Sequence, residues 1–291
     1  VDTLLPAITE DATCADWAAW IPRRSEPAVV MQQVVSEDYI PIQQNFIRLM
    51  ERNSAFNRHN LFLMCIDDAS RSFFEEQMGF RCVPISALNL PNHRHIWKLR
   101  VHVLSCLVRV GRVDVIMSDA DALWVNDPTP ELSWLDIRDS DVVASRGTFP
   151  RLLGEEWGST ICMGFVLFRA RNVVGMAAFL SAMEELVKKT GDDQVSINTA
   201  AANLGITWEK SSDMRYTEST SGAVGSAFDD GHEEGHPFTV TLLPHSTYTR
   251  VCDETPVSDR TVVAHCFAAK KANVKTSWME ALNLWSVEND P

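Results

Sequence analysis

Two aspartates at the end of one apolar segment are the sharpest chemical feature of this 291-residue sequence. Asp119 and Asp121 follow the apolar run 113–117, and Leu123 and Trp124 come shortly after them. If 113–117 forms a buried strand, its period-two geometry points both carboxylates to the same side. Two carboxylates so close together repel each other unless they share a proton or a cation. Their oxygens suit Mg²⁺ or Mn²⁺, particularly where phosphate oxygens complete the shell. The alternative is that they cap a loop or the next helix.

A histidine and several cations could complete such a site. His265 lies in the apolar run 262–267, and an imidazole beside two carboxylates would favour Mn²⁺ over Mg²⁺. A lone histidine in a strand is also common as a hydrogen-bonded core residue. Paired cations near a metal can neutralise a departing phosphate. The cations considered for that role are Lys98, Arg100, Lys270 and Lys271. Each of them could equally be a solvated surface charge.

Three polar residues open a new element after the helical pattern 173–187. They are Asp192, Asp193 and Gln194. A helix N-cap explains at least one of the two aspartates. As functional residues, one of the carboxylates or the Gln194 amide would face a substrate.

Apolar runs alternate with helical patterns along the first half of the chain. Strands are predicted at 28–35, 61–66, 81–85 and 113–117, with helices around 42–50, 70–78 and 97–108. This alternation predicts an α/β fold, in which a mostly parallel central sheet is flanked by helices on both faces. Ligands of such sheets bind at the carboxyl ends of the strands. Chemistry is therefore expected just after Val35, Ile66 and Met117.

Strands and helices no longer alternate regularly in the second half of the chain. Strands are predicted at 141–145, 161–168, 239–243 and 261–267, and helices at 173–187 and 278–285. The polar segment 218–237 is predicted to be a surface loop that acts as a lid. We expect one domain over 28–285, an N-terminal extension over 1–27 packed through Trp17 and Trp20, and a C-terminal tail over 286–291.

The acidic balance limits the partners. Lys and Arg number 26 and Asp and Glu 39, so the net charge is −13. Such a field repels polyanions, which argues against nucleic acid. No apolar stretch reaches about 18 residues, so no membrane contact is expected within this chain. Because the sequence begins at Val1, we expect a processed or truncated protein, with a missing upstream anchor as one explanation.

The seven cysteines are too few and too scattered to predict a disulfide framework. Cys65 and Cys106 lie in apolar segments, where a free thiol behaves as a small buried hydrophobe. The sequence has no Asn-x-Ser/Thr site, which slightly favours a cytosolic setting.

Four common catalytic signatures do not occur. The sequence contains no Gly-x-Ser-x-Gly, no Walker loop, no His-Glu-x-x-His and no Gly-x-Gly-x-x-Gly after the first strand. This argues against serine hydrolases, P-loop NTPases, zinc proteases and ordinary dinucleotide oxidoreductases.

The order of the motifs resembles the nucleotide-diphospho-sugar glycosyltransferases of the GT-A fold, a Rossmann-like architecture, and within them glycosyltransferase family 77. Segment 97–128 is similar to that family's core, with a Trp and basic residues, an apolar helix and a strand ending in Ser-Asp-Ala-Asp. Gly164 in an apolar strand, the pair Asp193 and Gln194, and His265 match in the same order. Cys162 departs from the pattern, because relatives often carry a polar residue two before the strand glycine.

The resemblance implies a retaining enzyme that moves a sugar of the galactose, xylose or arabinose class from a UDP-sugar to a hydroxyl of a glycan or glycoprotein. Asp119, Asp121 and His265 would bind Mn²⁺, or Mg²⁺ in its place. Val34, Ser36 and Tyr39 would bind the nucleoside, and Lys270 or Lys271 the diphosphate. Asp192, Asp193 or Gln194 would position the sugar. Many relatives are anchored in the Golgi, so the Golgi lumen is expected, with the cytoplasm as the alternative.

Two other functions fit parts of the sequence. In a haloacid-dehalogenase-like phosphatase, Asp119 would be the nucleophile and Asp121 the general acid. That family usually has its motif on an early strand, whereas here the motif follows about the fourth. A non-catalytic nucleotide-sugar-binding protein is the second alternative, although the presence of both aspartates and His265 argues against it.

Overall fold

The computed structural model describes residues 5–22, 29–56, 58–85, 88, 90–133, 139–208, 220–224, 238–253, 256–267 and 271–287. Its strands are β1 (Val29–Val35), β2 (Leu61–Cys65), β3 (Cys82–Pro84), β4 (Asp114–Ser118), β5 (Leu123–Trp124), β6 (Val142–Gly147), β7 (Thr160–Phe168), β8 (Ile206–Trp208), β9 (Thr220–Val224), β10 (Phe238–Leu242), β11 (Tyr248–Arg250) and β12 (Val263–His265). Its helices are α1 (Cys14–Ala19), α2 (Ile40–Asn53), α3 (Asp68–Ser72), α4 (His93–Arg109), α5 (Thr129–Leu132), α6 (Arg151–Trp157), α7 (Val173–Thr190), α8 (Asp193–Asn203) and α9 (Ala272–Ala281). In this part of the chain, no helix combines the length and the apolar character needed to cross a membrane.

Local signals in the sequence set the ends of the long helices. Asn92 caps the start of α4, where its side chain accepts a hydrogen bond from the Arg94 amide. Asn172 caps α7 in the same way, and α7 ends at Gly191, whose φ of 67° is left-handed. Asp192 then caps α8, accepting from the Val195 amide at 2.8 Å. The predicted capping role of Asp192 is therefore confirmed.

The large sheet has nine strands in the order β3-β2-β1-β4-β7-β6-β10-β9-β8. Strands β1 to β4 pair in parallel, as the alternating first half of the sequence predicts. β7 lies antiparallel between β4 and β6, and β9 lies antiparallel between β10 and β8. The remaining seven strands thus share one direction, and their carboxyl ends meet at one edge of the sheet.

Helices cover both faces of this sheet. Neighbouring residues of β1 point to opposite faces: Val30 packs in the core cluster that contains α4 and α7, and Met31 in the cluster that contains α2. Because neither face of the sheet meets water, the strands are apolar at nearly every position.

A second sheet has three strands in the order β11-β12-β5. β12 pairs antiparallel with β5, with Val263 opposite Trp124 and Ala264 opposite Leu123. Since β5 begins two residues after Asp121, this pairing brings the C-terminal part of the chain to the edge where β4 ends.

The N-terminal segment packs onto the main body through its tryptophans, as predicted. Trp17 and Trp20 are buried in the same core cluster as α4. The Trp20 indole donates a hydrogen bond to the Pro6 carbonyl at 3.0 Å, and the Arg81 guanidinium lies 5.5 Å from its ring centroid.

The cysteines were predicted wrongly. Six of the seven form the disulfides Cys14–Cys106, Cys65–Cys82 and Cys252–Cys266, and only Cys162 is free. The partners are 92, 17 and 14 residues apart in the sequence, so it is the fold that brings them together. Spacing along the chain therefore gave no signal for the pairing. The first of these bonds attaches α1 to α4.

Two predicted elements also change. The proposed lid 218–237 includes strand β9, which pairs with β8 and β10; the rest of that segment lies outside the described residues. The closing helix begins at Ala272 and ends at Ala281, earlier than the predicted 278–285.

The disulfide pairing predicts the thiol count of the purified protein. Under denaturing, non-reducing conditions we expect one titratable thiol, that of Cys162, and seven after reduction. Ellman's reagent measures both counts, and peptide mapping without reduction identifies the pairs. Three or more thiols before reduction would contradict the pairing.

Candidate active site

A cleft of about 590 Å³ opens at the carboxyl ends of β1 and β4. This is the switch point of the sheet. The chain continues from β1 to β2 and β3 on one side, and β4 then returns to the other side of β1. Its lining includes Val34, Ser36, Tyr39, Ile66, Trp97, Arg100, Ser118, Asp119, Asp121, His265, Cys266 and Lys275. The prediction that chemistry lies just after Val35, Ile66 and Met117 points to this same edge.

Asp119 and Asp121 lie in a tight turn between β4 and β5. The Ala122 amide donates to the Asp119 carbonyl at 2.9 Å, and the Asp119 amide donates to the Gly164 carbonyl of β7 at 2.9 Å. Both carboxylates lie on one side, facing His265, as predicted. The cause is this turn, however, and not the alternation of an extended strand.

His265 reaches the two carboxylates through strand pairing. Extending the β12–β5 register by one residue places His265 opposite Ala122, next to Asp121. Its Nε2 lies 3.7 Å from Asp119 Oδ2 and 3.9 Å from Asp121 Oδ1. The imidazole is therefore part of the site, and the alternative of an isolated core histidine is set aside.

The other carboxylate oxygens contact two cations of the chain. Arg100, on α4, is only 4% exposed and its Nη2 lies 2.7 Å from Asp119 Oδ1. Lys275, on α9, forms an ion pair with Asp121 Oδ2. One oxygen of each aspartate thus contacts a cation, while Asp119 Oδ2 and Asp121 Oδ1 face the imidazole.

Burial and charge compete at Asp121 and His265. Burial opposes ionisation of Asp121, but His265 and Lys275 outweigh it and hold the pKa of the Asp121 carboxyl below its usual range. Burial also disfavours a charged imidazole, yet Cys162 and the carboxylates of Asp121 and Asp119 raise the pKa of His265 to about 9. At neutral pH the imidazole is therefore protonated in this state, and it must release a proton from Nε2 before it can bind a metal.

Asp193 joins the site through Arg100. Nη1 of Arg100 lies 3.2 Å from Asp193 Oδ2, so one buried guanidinium bridges Asp193 and Asp119. Burial raises the pKa of Asp193 to about 6, against the opposing charge of Arg100. The α8 N-terminus is thereby held against the carboxyl end of β4.

Gly164 makes room for the imidazole. A Cβ at this position would lie 2.0 Å from Cε1 and 2.3 Å from Nδ1 of His265, closer than any nonbonded contact permits. The strand glycine at this position is thus explained by the close approach of His265.

The sequence-predicted residues separate into two groups. Val34, Ser36, Tyr39, Arg100, Asp119, Asp121 and His265 all line the cleft. Among the described residues, Lys98 and Lys271 do not line it, and Lys270 lies outside the described part of the chain. Asp192 is occupied as the α8 cap, and the Gln194 amide donates to the Phe149 carbonyl at 2.8 Å.

Sequence reasoning missed Lys275 and Cys162. Lys275 is four residues, about one helical turn, beyond Lys271, and only the docking of α9 shows which lysine reaches Asp121. Its ammonium also lies 5.6 Å from the centroid of the Tyr39 ring. In the sequence, Cys162 stands out only as a departure from the family pattern.

The donor set fits a divalent metal ion. One atom each from Asp119, Asp121 and His265 lies within 4.8 Å of the others, and carboxylate with imidazole is a ligand set that Mn²⁺ accepts. Cys14, His102 and Cys106 form a second close group, but the two sulfurs are joined in a disulfide and are not thiolate ligands.

The mixed sheet and the acid-rich cleft at its switch point define a class, the Rossmann-like α/β proteins that bind ligands at the carboxyl edge of the sheet. A family model described as nucleotide-diphospho-sugar transferase matches residues 89–279. The chain therefore belongs to the nucleotide-diphospho-sugar transferase family. This confirms the resemblance and sets aside the phosphatase alternative.

Several solved structures are similar to this chain, and one of them, WbbM, reaches a TM-score that supports the fold. WbbM, a bifunctional glycosyltransferase in its apo form, is 11% identical, with a TM-score of 0.50 over 97% of this chain and 53% of its own. This chain thus spans about half of WbbM. Mouse xyloside xylosyltransferase 1 is 13% identical over 61% of this chain and 82% of its own, with a TM-score of 0.40. The galactosyltransferase LgtC, solved with donor and acceptor sugar analogues, is 13% identical over 89% and 97%, with a TM-score of 0.44. Curated protein sequences give no significant match.

The contact between Gly164 and His265 can be tested by adding one methyl group. Gly164→Ala should displace the imidazole and weaken Mn²⁺ binding by about 10-fold or more, since disturbing the orientation of a ligand typically has that effect. The free Mn²⁺ signal in electron paramagnetic resonance (EPR) measures the affinity without any substrate.

The double variant Gly164→Ala/His265→Ala is the control. If Gly164→Ala acts through His265, the double variant binds Mn²⁺ no more weakly than His265→Ala alone. Wild-type Mn²⁺ affinity in Gly164→Ala would contradict the assignment.

Proposed function

We propose that this chain is a metal-dependent, retaining glycosyltransferase. It transfers a sugar of the galactose, xylose or arabinose class from a UDP-sugar to a hydroxyl of a glycan or glycoprotein. The observation that carries the proposal is the convergence of Asp119, Asp121 and His265 in the same cleft as Val34, Ser36 and Tyr39. A nucleotide-sugar donor requires metal ligands for its diphosphate and an edge with an aromatic ring for its base, and one cleft offers both.

The cleft offers separate partners to each part of the donor. Val34 is the penultimate residue of β1, and Ser36 and Tyr39 follow the strand, so the Tyr39 ring would stack on the base. Lys275 takes the diphosphate role that the sequence assigned to Lys270 or Lys271, because its ammonium already lies beside Asp121. A bound Mn²⁺, or Mg²⁺, would act as a Lewis acid that stabilises charge on the leaving diphosphate.

Asp193 is the residue of its segment best placed to contact the sugar. It is buried and connected to Asp119 through Arg100, so its carboxylate is held at a fixed position beside the cleft. There it would orient a sugar hydroxyl or stabilise positive charge at the anomeric carbon. Asp192 and Gln194 support it indirectly, by capping α8 and by binding the Phe149 carbonyl.

Retention requires the acceptor oxygen to bond to the anomeric carbon on the face from which UDP departs. In this step the acceptor hydroxyl gives its proton to the departing diphosphate oxygen, and the bond between the anomeric carbon and that oxygen breaks. Arg100 and Lys275 contribute by holding both aspartates in place without reorganisation during the reaction.

We further propose that the protein works in the Golgi lumen rather than in the cytoplasm. Three disulfides support this location, because disulfides persist in the secretory pathway and are rare in the reducing cytosol.

Metal-dependent UDP binding tests the central proposal. Calorimetry should show UDP binding with Mn²⁺ present and a large loss of affinity with EDTA. Asp121→Asn keeps the side-chain shape but removes a charged ligand, so it should abolish the Mn²⁺-dependent part of UDP binding and of UDP-sugar hydrolysis. Glu185→Gln, an exposed carboxylate on α7, is the matched control and should behave as wild type. UDP affinity that is equal in Mn²⁺ and in EDTA would overturn the proposal.

The stereochemistry has its own test. With an α-linked UDP-sugar and water as acceptor, the first sugar released should be the α-anomer, seen by proton NMR before mutarotation. Initial release of the β-anomer would exclude retention while leaving sugar transfer intact.

A further inference from the structure

Cys162 is a buried free thiol to which the proposed function assigns no step. It lies on β7, two residues before Gly164, and is 2% exposed. Its Sγ lies 3.6 Å from Nδ1 of His265, within reach of a hydrogen bond to sulfur. The thiol thus contacts the imidazole on the side opposite the two carboxylates.

Arg250 holds the sulfur from its other side. β11 pairs in parallel with β12 so that Arg250 stands beside His265, and its Nη1 lies 3.8 Å from Cys162 Sγ. Its Nη2 lies 3.4 Å from each sulfur of the Cys252–Cys266 disulfide, and Cys266 is the residue that follows His265 in the chain. The guanidinium thus helps to fix the position of the sulfur beside His265.

The two ring nitrogens of His265 have different surroundings. Nδ1 faces Cys162, and Nε2 faces Asp119 Oδ2 and Asp121 Oδ1. A neutral imidazole carries one proton, so a hydrogen bond from Nδ1–H leaves the lone pair on Nε2. Ligating histidines commonly have such an outer partner, usually a carboxylate or a carbonyl.

We propose that Cys162 is the positioning residue for His265. It accepts the Nδ1–H hydrogen bond, fixes the ring orientation and directs the Nε2 lone pair toward the metal position between Asp119 and Asp121. A sulfur occupies here the place that a carboxylate or carbonyl usually takes. This inference rests on the proposed metal-dependent function and assigns to Cys162 a contact with the metal ligand instead of with the sugar.

Mn²⁺ binding to the full chain without donor, followed by EPR, tests the role of Cys162. Cys162→Ala removes the acceptor and should weaken Mn²⁺ affinity by about 10-fold or more, the usual effect of losing an outer partner. Cys162→Val fills the volume without an acceptor and should give the same loss. Cys162→Ser restores an acceptor and should recover affinity close to that of the wild type.

Val166→Ala is the matched control for lost packing. Val166 is buried on the same strand but belongs to the core cluster of α4 and α7, so its truncation should lower stability and leave Mn²⁺ affinity unchanged. Unchanged affinity in Cys162→Ala, no recovery in Cys162→Ser, or an equal loss in Val166→Ala would each overturn the inference. Failure of the wild type itself to bind Mn²⁺ would instead overturn the proposed function, and the inference with it.

Discussion

The site depends on one constraint: the negative charges of two neighbouring carboxylates must be compensated. Asp119 and Asp121 gather in one turn, where their mutual repulsion would be unfavourable without positive charge. Arg100 and Lys275 supply that charge from α4 and α9, which are far apart in the sequence. Removing one partner of a buried pair typically costs about 3–5 kcal/mol. The packing of both helices is thus tied to the charge of the turn.

The small sheet makes this arrangement possible. A single parallel sheet would collect ligands only from consecutive strand ends, whereas β5 and β12 pair antiparallel and return the last strand to the turn after β4. His265 is thereby added to a pair of aspartates more than 140 positions earlier in the chain. Gly164 on β7 leaves the space that the imidazole needs. The position of His265 Nε2 is thus set by three features together: the β5–β12 pairing, the turn after β4 and the small size of Gly164.

The sequence predicted what depends on local pattern. Apolar runs located the core strands, and the aspartate pair marked the edge where the cleft opens. The sequence did not predict what depends on tertiary distance. Lys275 could not be chosen over Lys271 without the docking of α9, and the partner of Cys14 could not be found 92 residues away. The contact of Cys162 with His265 likewise exists only because β7 and β12 approach each other.

A protein with a net charge of −13 repels anions at long range, yet the family it belongs to is that of the nucleotide-diphospho-sugar transferases, whose donors are anionic. The geometry of the cleft resolves this contradiction locally. Arg100 and Lys275 already balance the charges of Asp119 and Asp121, so a divalent ion bound by the same carboxylates would leave an excess of positive charge. The aspartates therefore do not oppose a diphosphate. By recruiting a metal ion, they would turn their part of the cleft into an anion-binding site, while the net charge of the protein would still repel polyanions.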